Sequence, residues 1–118
     1  MDLVHDVSTA LGVDEERATQ GLGALFVAIR MAVDAKTFSE VSTALPEAGP
    51  LMQHTPFEGS RTGEMLALAT PAAVRRLLRT AGFSEEQVPE LCARVGRVVR
   101  EAVDPAVWNT IEKRLPIF

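Results

Sequence analysis

Six arginines are the side chains of this 118-residue chain most able to do chemistry on a partner. Arg75, Arg76 and Arg79 fall within one helical turn, and Arg94, Arg97 and Arg100 recur at roughly one-turn steps. A guanidinium is planar, permanently charged and shaped to grip a carboxylate or phosphate through two parallel hydrogen bonds. If the two faces adjoin, they form an anion or partner patch. The competing reading is a pair of solvated helix faces, partly neutralised by Glu90 and Glu101.

Residues 1–70 hold 4 basic and 10 acidic side chains, a balance of −6, whereas residues 71–118 hold 8 and 6, a balance of +2. A net charge of −4 disfavours nucleic acid, since phosphate contacts need clustered cations and an acidic first half repels the backbone.

The other reactive residue types make a poorer case. Cys92, the single cysteine, falls among Leu91 and Val95 on an apolar stripe, as a buried structural thiol does, and it permits no intramolecular disulfide. His5 and His54 are the only histidines and lack the spacing or partners of a zinc site. Glu15-Glu16 and Glu85-Glu86 stand at expected helix starts, where the positive end of the dipole accounts for them. Gly21-Leu22-Gly23 lacks the third glycine and the preceding strand of a dinucleotide loop, so close helix packing is the better reading. No catalytic, cofactor or metal-binding residue is assigned, and catalysis has no positive support.

The elements that must carry these residues are helical. Leu3, Val4, Val7 and Leu11 lie on one face of a first helix, ended by Gly12. Asp14 opens a long helix with Ala18, Leu22, Leu25, Phe26, Ile29 and Val33 on one stripe. Asp34 caps a third helix, with Phe38, Val41 and Leu45 inward and Pro46 as its stop.

The same pattern returns at an offset of 70, where ten of the 46 aligned pairs are identical. Thr70-Pro71 opens its first helix and Gly82 ends it; Ser84-x-x-Gln87 has capping-box spacing, and Phe83 is placed to staple the turn. Val88, Leu91, Cys92, Val95, Val99, Ala102 and Val103 form the second long stripe. Asp104-Pro105, Trp108, Ile111, Leu115 and Pro116 repeat the third helix. Pro89 breaks the parallel and predicts a kink or a delayed start, because a proline past the first turn removes a needed hydrogen bond.

The expected architecture is all-α: six main helices in two tandem three-helix repeats, 1–46 and 71–116, packed as one bundle-like domain over 1–118 with a linker at 47–70. Gly49 to Gly63 reads as the mobile part of that linker, and Glu64 to Ala69 as a short helical turn. Its Leu51, Met52, Phe57 and Met65 would form an apolar lid over a cleft between the repeats.

The run Leu11-Gly12-Val13-Asp14-Glu15-Glu16-Arg17-Ala18, then Gly21-Leu22-Gly23-Ala24-Leu25, then Phe38 to Leu45-Pro46, resembles the VcgC/VcgE-type and related small bacterial helical families of unknown function. The first repeat carries the likeness best, since Gly21 and Gly23 become Leu91 and Ala93 in the second. The resemblance implies a bacterial helical protein without an established activity, and supplies no catalytic residue.

An acidic N-terminus without a basic or sustained apolar run predicts no secretory signal. The longest apolar segment, Leu22 to Val33, is interrupted by Gly23 and Arg30 and too short to span a bilayer, and a cytoplasmic location is expected. The leading functional expectation is a non-catalytic protein-interaction or self-association module. A small anionic ligand or lipid binder is the alternative, and a weak nucleic-acid regulator comes third.

Overall fold

The computed structural model describes residues 3–53 and 70–118. Those residues form seven α-helices and no strand: α1 (Leu3–Leu11), α2 (Glu15–Ala32), α3 (Ala35–Ala44), α4 (Ala48–Met52), α5 (Pro71–Thr80), α6 (Gln87–Ala102) and α7 (Pro105–Arg114). The expectations for Gly59, Gly63 and the Glu64–Ala69 turn lie outside the described residues.

The helix ends follow the predicted punctuation. Gly12 and Gly82 adopt φ of 70° and 108°, a region costly for residues with a Cβ. The amides of Arg17 and Thr37 each donate at 2.7 Å to the side chains of Asp14 and Asp34, satisfying donors the first helical turn leaves free. Ser84 and Gln87 close a reciprocal box, with the Ser84 amide donating to Gln87 Oε1 at 2.8 Å and the Gln87 amide to Ser84 Oγ at 3.2 Å. Asp104 stands at the N-cap of α7 without a side-chain capping bond, and Pro105 follows at the first helical position. Helices α3 and α7 have the same bounds at an offset of 70, and Val33 and Val103 end the long helices with nearly the same backbone angles.

Pro89 has the predicted effect. Helix α2 begins at Glu15, but α6 begins at Gln87 rather than at the equivalent position 85. The delay places Pro89 in the first turn, where no intrahelical hydrogen bond is expected of its nitrogen.

Two expectations are corrected. Helix α2 is not a one-sided stripe: Gly21 to Ile29 are buried without interruption, and α2 touches all six other described helices. Twelve consecutive uncharged residues, Ala18 to Ile29, allow this, and a helix apolar on all sides belongs in an interior. In addition, the start of the segment read as a linker is a helix. Within α4, Ala48 and Leu51 are buried against the core, and its contact with α2 is the most extensive among the described helix pairs.

Gly21 explains how α2 meets the second half of the chain. A Cβ placed there would lie 2.7 Å from Phe83 Cε2 and Cζ and 3.0 Å from Leu91 Cδ2. The missing side chain is the notch that receives the Phe83 ring, which is 1% exposed. Gln87 Nε2 adds a polar tie, donating to the Leu11 carbonyl at the end of α1 at 3.0 Å.

Candidate functional site

Helix α5 is strongly two-sided. Its Val74 and Leu78 are buried, which leaves Arg75, Arg76 and Arg79 exposed. Thr70 Oγ1 accepts from the Ala73 amide at 3.3 Å and fixes the start of the helix. Arg75 and Arg79, one turn apart, stand together at the mouth of a cleft of about 360 Å³. Glu85, Val88, Pro89, Cys92 and Ile117 are the other described residues that line it. The cleft lies between α5, α6 and the C-terminal segment rather than between the two expected repeats.

The mouth of the cleft is charged and its floor is neutral. Arg79 Nη1 lies 3.0 Å from Glu85 Oε1 in a well-exposed ion pair. Arg75 enters no ion pair among the described residues. Burial pushes the Cys92 thiol up to about 11, against the opposing charge of Arg75, so the thiol stays protonated near neutral pH. Cys92 is thus the buried structural cysteine expected, with Arg75 rather than Arg94 or Arg97 as the charge acting on it.

The two arginine groups do not converge in this cleft. Arg94 is two residues beyond Cys92, about 200° around the helix, and so faces away from it. Its Nη2 lies 3.5 Å from Glu90 Oε1, while its Nε is shielded from solvent without a hydrogen-bond partner. Arg97 and Arg100 are exposed and enter no ion pair among the described residues.

Of the four residues expected to form a lid, two are described. Leu51 is 6% exposed and belongs to the core, and Met52 is half-buried against it. Neither lines the Arg75–Arg79 cleft. Phe57 and Met65 lie outside the described residues, as does His54. His5 is exposed, with Nδ1 3.7 Å from Glu15 Oε2. Among the described residues no group of acidic, histidine or cysteine side chains is placed to hold a metal ion, and no helix is long and apolar enough to cross a membrane.

Over residues 1–82 the sequence matches the family described as "Protein of unknown function VcgC/VcgE (DUF2780)". The chain belongs to the VcgC/VcgE family. No curated protein matches it. No solved structure matches it either. The match takes in α1 to α5 and stops at the Gly82 turn, so the VcgC/VcgE region supplies Arg75 and Arg79 to the cleft, while Glu85, the floor and Ile117 come from beyond it.

Several site residues were not singled out from sequence. Glu85 reads as a helix-start acid, and its approach to Arg79 depends on the Gly82 turn reversing the chain. Val88 reads as core, and the Arg75–Arg79 spacing was the only signal that an opening lay above it. Ile117 follows the last helix and carries no periodic signal. It is held by its neighbour Phe118, whose ring centroid is 5.6 Å from that of Trp108 and whose Cβ lies 2.8 Å from where Gly96 would carry one. The Trp108 indole in turn donates to Glu112 Oε2 at 3.0 Å.

Proposed function

We propose that this VcgC/VcgE-family chain is a non-catalytic docking module built from two tandem three-helix copies, 1–46 and 71–116, whose second copy holds an acidic protein surface. The carrying observation is a difference between corresponding faces. In α2, Ala24 and Val27 are buried; 70 residues on, α6 has the half-exposed Arg94 and the exposed Arg97. A face enclosed in one copy is open and cationic in the other. The exposed groups assembled there are guanidinium cations, which bind anions but carry no proton that they release near neutral pH. Such groups suit recognition and steering better than general acid–base chemistry.

The acidic first half of a second copy supplies one complementary surface, and a head-to-tail contact of that kind is heterologous and concentration-dependent. Light scattering at low ionic strength should give a mass above the 12.8 kDa monomer, returning to monomer at about 0.5 M salt, where exposed charges are screened. The double variant Arg97→Glu, Arg100→Glu should stay monomeric in both. A strict wild-type monomer at low salt and high concentration removes a second copy as the partner. If proteins captured by the wild type are then held equally by the double variant, the docking reading fails.

A further inference from the structure

The cleft beneath Arg75 and Arg79 makes a second site, separate from the docking face on α6. We propose that it binds a free amphipathic monoanion, a medium-chain carboxylate, with the head between the two guanidinium groups and the tail along Val88, Cys92 and Ile117.

The charge at the mouth sets the head. Among the described lining residues Arg75 and Arg79 contribute two positive charges and Glu85 one negative, a balance of one cation. That balance suits a monoanion better than a dianion such as phosphate monoester. Glu85 already seats a carboxylate on Arg79 at 3.0 Å, so the mouth accepts the functional group proposed, and Arg75, which enters no ion pair among the described residues, takes a second one.

The floor sets the tail. Val88 is 4% and Cys92 2% exposed, and Ile117 is half-buried. Their side chains offer no hydrogen bond beyond a weak thiol, so a polar tail would leave its groups unpaired, whereas an alkyl tail loses nothing. The volume of about 360 Å³ falls in the range of small-ligand pockets, too small for a folded element and large enough for a short alkyl chain. Ile117 forms one wall and adjoins Phe118, which packs on Trp108, the only tryptophan in the chain. Filling the cleft therefore has a built-in optical reporter.

The test titrates the full chain with decanoate below its micelle concentration, by calorimetry and by Trp108 fluorescence, with decanol and acetate as the uncharged and tail-less controls. Saturable one-to-one binding of decanoate is expected, with decanol and acetate each weaker by about tenfold or more. Arg75→Ala, at an exposed position that should not disturb folding, should weaken decanoate by a similar factor and leave decanol unchanged. Arg97→Glu, Arg100→Glu should bind decanoate as the wild type does, which separates this site from the docking face. Equal binding of decanol and decanoate, equal binding by Arg75→Ala, or retention only on anionic vesicles would each overturn the proposal.

Discussion

Helices α2 and α6 occupy corresponding stretches 70 residues apart, and they end on nearly the same backbone geometry. Their surroundings differ. From Gly21 to Ile29 every residue of α2 is buried, whereas α6 buries only Val88, Leu91, Cys92, Val95, Gly96 and Val99. Helix α4 lies against α2, and α6 has no such partner among its described contacts. The lesson is that a shared pattern of helix starts and stops fixes where the chain turns. The residues between those stops decide which long helix becomes interior and which meets solvent.

The largest expected effect tests that division. Phe26 is fully enclosed in α2, and Phe26→Ala should cost about 3–5 kcal/mol, measured as a fall in the denaturant midpoint at constant slope. Arg97, one residue beyond the counterpart of Phe26, should tolerate alanine to within about 0.5 kcal/mol because its side chain meets solvent. Comparable losses at both positions would mean that the two long helices are equally enclosed.

A somewhat smaller loss should follow Leu51→Ala. If α4 is part of the core, removing this side chain costs about 2–3 kcal/mol, near the lower end for buried leucine because α4 has little more than one turn to hold its place. A lid residue would instead leave stability unchanged and alter ligand binding.

The punctuation of the fold is legible in the sequence. Gly12, Gly82, Asp14, Asp34 and the Ser84–Gln87 box are local devices, and each does its work within a few residues of where it stands. Enclosure is not local. The uncharged run Ala18 to Ile29 hinted that α2 was apolar all round, but Gln20 and Gly23 break the stripe, and which helix would cover the extra faces depended on α4. The Gly and Pro content of residues 47–63 reads as a loop, yet Ala48 and Leu51 find a buried surface that outweighs the helix cost of Gly49 and Pro50. The cleft was legible only at its mouth, through the arginine spacing. Its floor needed the Gly82 turn and the C-terminal segment to come together.

Gly21→Ala sharpens the contact between the halves. The added Cβ would lie 2.7 Å from the Phe83 ring, which must move, so a loss of about 1–3 kcal/mol is expected. Gly49→Ala, with no described residue within 4 Å of the new atom, should be neutral or slightly stabilising. Pairing Gly21→Ala with Phe83→Leu in a double-mutant cycle should show positive coupling, because the smaller side chain relieves the clash. Strict additivity would place the strain elsewhere.

The smallest effect concerns the two aspartates that open α3 and α7. The hydrogen bonds from Thr37 hold the Asp34 carboxyl below its ordinary value of 3.8, because they favour the charged form. A carboxyl whose folded value is lowered contributes stability that is fully present above its unfolded value and fades as pH falls through the folded one. Asp34→Asn keeps an acceptor at the cap but deletes the charge. The wild-type advantage over this variant should therefore be constant near neutral pH and disappear as acid protonates Asp34, below the ordinary carboxylate range. Asp104 makes no capping bond in the corresponding place, so Asp104→Asn is the comparison that lacks a Thr37-type contact. Urea midpoints for the three proteins between neutral and strongly acidic pH measure this directly. Parallel curves for the two variants would mean that Thr37 adds nothing to Asp34, and that α3 and α7 begin in the same way after all.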